Sequence, residues 1–258
     1  MTKNLLLTIA YDGSCFHGWQ KQPGQRTVQG YLEETFSRLF KKEILLSGTS
    51  RTDAGVHALG QRATLKTDIA VPTERMAMVL NNALCSREKN SFNIAPVRIL
   101  EVREMPEEFH ARFDAKGKEY VYRIRDGGPA EGAVFERNYI YHVKERLDTA
   151  AMDRAASYLV GRKDFKSFEA SGGNPRQTTV REIFSAHVER TESGIIEFRV
   201  KGDGFLYNMV RIMTGTLVEA GRGAFEPEHI IDITAACDRT RAGHTAPPFG
   251  LYLAEVFY

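Results

Sequence analysis

Cysteine is scarce in this sequence, and neither sign of charge is in real surplus. The three cysteines, Cys15, Cys85 and Cys237, are odd in number, far apart and never at metal-ligand spacing. This argues against a disulfide framework or a zinc site and for free thiols in a reducing cytosol. The 35 basic and 33 acidic residues leave a net charge of only +2. The total therefore does not announce a polyanion partner, and any basic face must come from local sorting of charge. Long apolar runs are missing too. Residues 1–10 carry one lysine and end at Tyr11-Asp12-Gly13, which is too short for a membrane span and lacks a signal-peptide cleavage pattern. There is no low-complexity linker and no short repeat. What remains is ordinary for a soluble globular protein, with 42% hydrophobic and 26% charged residues in a chain of 258. That length suits one large domain or two modest ones.

Periodicity outlines the elements. Leu5 to Tyr11 reads as a first strand. Val28, Tyr31, Leu32, Thr35, Phe36, Leu39 and Phe40 fall at offsets of three and four, on one helix face, with Thr27 as N-cap. Ile44-Leu45-Leu46 and Arg62 to Lys66 read as strands on either side of a loop. Pro72 opens a second helix marked by Met76, Val79, Leu80, Ala83 and Leu84, and Phe92 to Val102 returns as a strand interrupted by Pro96. Further on, Tyr120 to Arg125 alternates as a half-buried strand. Leu147 to Leu159 is a helix capped by Asp148, and Ile183 to Val188 pairs with Ile195 to Val200 as a hairpin. Leu206 to Ala220 is a helix stopped by Gly221, Pro227 to Cys237 a short helix, and Gly250 to Phe257 a closing strand. Helices alternating with strands and hairpins predict an α+β fold with a mainly antiparallel sheet and helices packed against it. A boundary near Met105-Pro106 would divide it into halves, 1–105 and 106–258.

The densest cluster of chemically useful residues is Gly48 to Gln61. It sets Arg51, Asp53 and His57 among small residues that let a large substrate approach the backbone. On spacing alone, a surface turn with an Arg–Asp pair and an active-site loop are equally good readings.

The run Ser50-Arg51-Thr52-Asp53-Ala54-Gly55-Val56-His57-Ala58 resembles the catalytic motif of the TruA-type tRNA pseudouridine synthases, which has Gly where Ser50 stands. Four further blocks resemble that family in its order. They are Tyr11-Asp12-Gly13 with Phe16-His17-Gly18-Trp19-Gln20, then Phe109-His110-Ala111-Arg112-Phe113, then Gly204-Phe205 with Asn208-Met209-Val210-Arg211, and finally Gly250-Leu251-Tyr252-Leu253. The resemblance implies two similar halves with an active-site cleft between them, the catalytic loop lying in the first half. It also implies uridine isomerisation in tRNA at positions 38 to 40 of the anticodon arm, with no cofactor and no metal, by a cytoplasmic homodimer.

That chemistry breaks the bond from ribose C1′ to uracil N1 and remakes it to C5, with no redox step. It needs a carboxylate near C1′ and C2′, and Asp53 is the candidate, as nucleophile or as base. Arg211 is the natural guanidinium partner that keeps such a carboxylate charged. Tyr120 matches the family's active-site tyrosine, which stacks on uracil and assists proton loss at C5, although alternating tyrosines are also common in strands. The resemblance has Arg51 reach into the RNA to support a flipped base. Leu251, with Leu253, packs on the uracil ring or is simply core. His57 receives no acid–base role. Basic residues at Arg112, Lys116, Lys118, Arg123 and Arg125, and at Arg162, Lys163, Lys166, Arg176 and Arg181, lie among aromatics and suit phosphate contacts. Two alternatives compete: the same chemistry on another RNA, or a non-catalytic RNA-binding protein. A glycosidase would want a second acid, and none lies between Ile44 and Lys66 apart from Asp53 itself.

Overall fold

In the computed structural model, residues 2–88, 94–128, 133–173 and 177–258 are described. The chain forms two compact units, Met1–Lys116 with Leu253–Tyr258, and Gly117–Tyr252. The elements in order are β1 (Lys3–Tyr11), α1 (Val28–Phe40), β2 (Ser47–Gly48), β3 (His57–Thr67), α2 (Thr73–Glu88), β4 (Val97–Met105), β5 (Gly117–Arg125), α3 (Ala133–Glu136), β6 (Tyr141–His142), α4 (Thr149–Ser157), β7 (Gly161–Asp164), β8 (Val180–Arg190), β9 (Ile196–Gly202), α5 (Met209–Gly221), α6 (His229–Ala235) and β10 (Leu251–Phe257). The architecture is α+β with a mainly antiparallel sheet, as the patterning predicts.

In the first unit β1 lies between β4 and β3, antiparallel to both, with Leu5 opposite Leu65 and Leu7 opposite Val102. A central strand with neighbours on both sides can be apolar along most of its length. Leu5, Leu7 and Ile9 are fully buried, as are Leu32 and Phe36 of α1 and Met76, Leu80 and Leu84 of α2. Each such side chain contributes about 1.5–3 kcal/mol, as an upper estimate. Thr27 caps α1 by accepting from the Gly30 N–H, and α1 ends at Lys41 in the left-handed region (φ 51°). Beside β4, the Asn81 carboxamide of α2 donates to Ile99 O and accepts from Ile99 N–H, both at 2.8 Å. It gives main-chain groups of this strand the partners a further strand would supply.

In the second unit the strand order is β5-β9-β8-β7, each neighbour antiparallel, and the short β6 runs parallel to β5. Asp148 caps α4 by accepting from the N–H groups of Ala150 and Ala151. Tyr122, Phe165, Phe168, Phe198, Met152, Met213 and Leu217 are buried in its core.

Five expectations need correction. Ile44-Leu45-Leu46 is not a strand, because side chains of α1 take its backbone donors. Ile44 N–H donates to Ser37 Oγ at 2.9 Å and Leu46 N–H to Glu33 Oε1 at 3.0 Å, so the ladder with β3 starts only at Ser47. The strand expected from Phe92 begins at Val97; residues 92 and 93 lie outside the described residues, and 94–96 are not in a strand. The helix expected from Leu206 begins at Met209, since Asn208 sits in the left-handed region (φ 58°). Gly221 does not stop that helix. It is its last residue, pressed so closely on Met152 that a side chain would overlap it, and the left-handed glycine is Gly223 (φ 74°). The helix expected over Pro227 to Cys237 is shorter, His229–Ala235. Among the described residues, no helix is long and apolar enough to cross a membrane.

Candidate active site

Thr49 to Val56 link β2 to β3, and within this stretch the burial alternates in a way a free turn would not. Ser50 and Thr52 are buried, Arg51 is exposed and Asp53 is half-buried. Asp53 to Val56 form a turn closed by the Val56 N–H donating to Asp53 O at 3.1 Å, with Gly55 third at φ 79°. A positive φ at that position is what a type II turn demands of glycine. Asp53 therefore stands at the corner of a tight turn and not on a floppy loop.

The flanks of the turn are clamped. The Gln61 carboxamide accepts from Ser50 N–H at 3.2 Å and donates to Ser50 O at 2.7 Å. The Thr52 hydroxyl is 2.7 Å from that of Tyr11. Thr52 O accepts from Trp19 N–H at 3.0 Å, and Phe16 O from Gly55 N–H at 3.4 Å. Backbone lies directly on backbone here. A methyl group on Gly13 would overlap the Val56 carbonyl, and one on Gly18 (φ 86°) would come within 2.6 Å of Thr52 O. The segment Tyr11 to Trp19 thus cradles the Asp53 turn. His57 belongs to this cradle, since its Nδ1 accepts from Gly13 N–H at 3.1 Å and lies 3.4 Å from Asp12 Oδ1. Gly13 can donate only to a ring nitrogen that carries no proton.

The second unit holds Tyr120, Arg211 and Leu251. Tyr120 is buried on β5, with its ring edge-on to Phe205 at 5.1 Å between centroids. Arg211 is in the first turn of α5. Its Nε donates to Ala246 O at 2.7 Å and its Nη1 to Asn208 Oδ1 at 2.8 Å, while Arg211 O accepts from Ala246 N–H at 3.1 Å. The strap 243–250 that supplies Ala246 is pressed flat on its supports. His244 O sits where a side chain on Gly215 would go, and Tyr122 OH donates to Pro247 O at 2.6 Å. Burial drives the Tyr122 hydroxyl well above its ordinary pKa, against the pull of the Arg211 charge. Leu251 is buried at the start of β10. Asp53 and Arg51 thus share the first unit, and Tyr120, Arg211 and Leu251 the second. Among the described residues, no group of three or more His, Cys, Asp or Glu stands where it could hold a metal ion.

Residues 7–114 and 155–258 match the family described as tRNA pseudouridine synthase. The chain belongs to that family. It is 45% identical over 260 residues to "tRNA pseudouridine synthase A 2" of Clostridium tetani, covering all of both chains. It is 43% identical to the protein of the same name from Clostridium perfringens and to "tRNA pseudouridine synthase A" of Ruminiclostridium cellulolyticum, each match covering 99% of this chain and all of the relative. Among solved structures, a chain of a Cbf5-Nop10-Gar1 complex matches 96% of this chain and 56% of its own at 11% identity and a TM-score of 0.31, too distant to argue from.

For a pseudouridine synthase, several basic residues picked out in the sequence are already engaged. Arg123 pairs with Glu197 at 3.1 Å, Arg125 with Glu136 at 2.8 Å and Lys166 with Glu169 at 2.7 Å. Arg112, Lys116 and Arg162 are exposed, and Arg176 lies outside the described residues. Sequence reasoning gave no role to Gln61 or to the strap at Ala246. Gln61 stands between Gly60 and Arg62 in a strand that also carries His57 and Lys66, so nothing in the residue pattern singles it out.

Proposed function

We propose that the protein converts uridine to pseudouridine in tRNA, at positions 38 to 40 of the anticodon arm, and that Asp53 carries the chemistry. The observation that supports this best is the Asp53 turn: a half-buried carboxylate at the corner of a type II turn, two residues after an exposed arginine, with both flanks clamped. In this reading Asp53 attacks C1′ or removes a proton at C2′, and the C1′–N1 bond breaks. The released uracil turns, and C5 bonds to C1′ as the bond from Asp53 to C1′ breaks or, on the other route, as Asp53 returns the proton to C2′. C5 then gives up its proton while N1 gains one. The sum is an isomerisation. Arg211 keeps the carboxylate ionised. Tyr120 stacks on the base and assists proton loss at C5, Leu251 packs on the uracil ring, and Arg51 supports the RNA where the base has left the stack. We take the working form to be a cytoplasmic homodimer, for which sedimentation of the purified protein is the direct measurement.

The test is release of tritium from tRNA labelled at uracil C5. Label should leave only tRNAs with uridine at positions 38 to 40, and Asp53→Asn should reduce release to background while tRNA still binds. Release from ribosomal RNA in place of tRNA would point to the same chemistry on another substrate. No release from any RNA, with binding intact, would favour a non-catalytic RNA-binding protein. Release by Asp53→Asn at the parent rate would remove Asp53 from the mechanism.

A further inference from the structure

The turn after Phe109 carries an aromatic ring that the fold does not use. Phe113 is 75% exposed. One exposed apolar side chain is unremarkable by itself, so its mounting is what matters. His110 O accepts from the N–H groups of both Phe113 and Asp114 at 3.1 Å. The Asp114 carboxylate accepts from His110 N–H at 2.8 Å, and His110 Nδ1 from Arg112 N–H at 3.1 Å. Within this turn Ala111 is fully buried, and its carbonyl accepts from Thr49 Oγ1 at 3.0 Å and from the Tyr258 hydroxyl at 2.9 Å. Thr49 is also where the stretch leading to Asp53 leaves β2, so the ring and the Asp53 turn hang from one hydrogen-bonded post within the first unit. The Phe113 ring rests against the His110 imidazole at 4.3 Å between centroids, and the Arg112 guanidinium lies 5.8 Å from the ring centre.

We propose that Phe113 is a stacking platform for an unpaired base of the RNA substrate. The inference rests on the function proposed above and adds a residue that holds the RNA away from the reacting uridine. Proteins that bind RNA outside regular duplex commonly stack splayed bases on aromatic rings and guanidinium planes, and they accept any base because each has a π-face. Charge does not explain this segment, since Glu107, Glu108 and Asp114 offset Arg112 and Lys116. A rigid exposed ring backed by an imidazole, with a guanidinium at its side, suits a flat aromatic partner better than a phosphate.

The experiment measures the affinity of the full-length protein for an unmodified fluorescent tRNA transcript, comparing Phe113→Ala, Phe113→Leu and Phe113→Trp with the parent. Alanine and leucine should each weaken binding by about 5- to 150-fold, the range spanned by loss of one stacked base, and tryptophan should restore it. Melting temperature and sedimenting mass should stay at the parent values. Leucine binding as tightly as phenylalanine would overturn stacking in favour of plain apolar contact. A drop in sedimenting mass for the alanine variant would assign the ring to a protein interface and overturn the inference, as would equal affinity in all variants. A parent protein that binds no tRNA would overturn the proposed function, and this inference with it.

Discussion

The side-chain amide of Gln61 grips the main chain of Ser50 from both sides, with Nε2 2.7 Å from Ser50 O and Oε1 3.2 Å from Ser50 N. The same Oε1 also accepts from Arg62 N–H at 3.1 Å, and Gln61 is wholly buried. One strand residue thereby fixes the start of the run that leads to Asp53, three residues on.

Replacing Gln61 by leucine keeps the bulk and removes the grip. It leaves a buried N–H and C=O at Ser50 without these partners, a cost of about 1–3 kcal/mol. The variant should melt at a lower temperature. At a temperature where it is still fully folded, tritium release should fall further than any loss of folded protein explains. Gln61→Glu keeps an acceptor for the N–H groups but sets a buried carboxylate against Ser50 O, and should destabilise at least as much as leucine. Full activity in the folded leucine variant would show that the turn does not need this clamp.

Gly13 lets the Tyr11–Trp19 segment touch the Asp53 turn. An added methyl group would overlap the Val56 carbonyl, with the Gly55 carbonyl carbon 2.9 Å away. Both neighbours are backbone, so nothing cheap can move aside. Gly13→Ala should push the turn off its cradle, lowering turnover with little change in tRNA affinity. Gly24→Ala is the control: nothing lies within 4 Å of its added Cβ, although its φ of 71° imposes some backbone strain. Equal turnover in the two variants would count against close packing at Gly13 as the cause.

The legible parts of this fold are those whose causes are local. Thr27 and Asp148 announce their helices because a cap is read within three residues of itself. The Asp53 turn is legible because Gly55 and the residues around it sit in one short run. Ile44 to Leu46 misleads because its fate is decided by Ser37 and Glu33 on a helix face, which apolar character does not report. Gly221 looks like a stop because glycine usually is one, but here it makes room for Met152 from another helix. The grip of Gln61 and the strap at Ala246 join residues 11 and 35 apart in sequence, and periodicity reports the face on which a residue lies but not the main-chain group its side chain reaches.

Arg211→Lys keeps the charge and loses the fork. A lysine ammonium cannot reproduce the fixed geometry by which the guanidinium bonds Ala246 O at 2.7 Å and Asn208 Oδ1 at 2.8 Å together. Turnover should drop by about 10²-fold, the cost of roughly 1 Å of misplacement, while KM for tRNA changes little. A KM rise at unchanged kcat would instead make Arg211 an RNA-binding residue.

Asp126 gives a prediction that depends on pH. Its carboxylate, 1% exposed, accepts from Arg190 at 2.7 and 2.9 Å and from Leu147 N–H at 2.8 Å, tying the end of β5 to β8 and to the start of α4. Burial raises the pKa of this group, but the bonds from Arg190 and Leu147 and the charges of Arg190 and Arg146 outweigh it and hold the carboxyl below its usual value. A depressed folded pKa means that the stabilisation is present above the unfolded pKa of about 3.9 and is lost as pH falls through the lower, folded one. At pH 7, Asp126→Asn should cost about 3 kcal/mol, because it leaves the buried end of Arg190 without its counter-charge. As pH falls the parent carboxyl takes up a proton and comes to resemble the amide. The gap between parent and variant in urea-unfolding midpoint should therefore narrow steadily below about pH 4. A gap equally wide at neutral and acid pH would mean that the loss comes from packing and not from the charge.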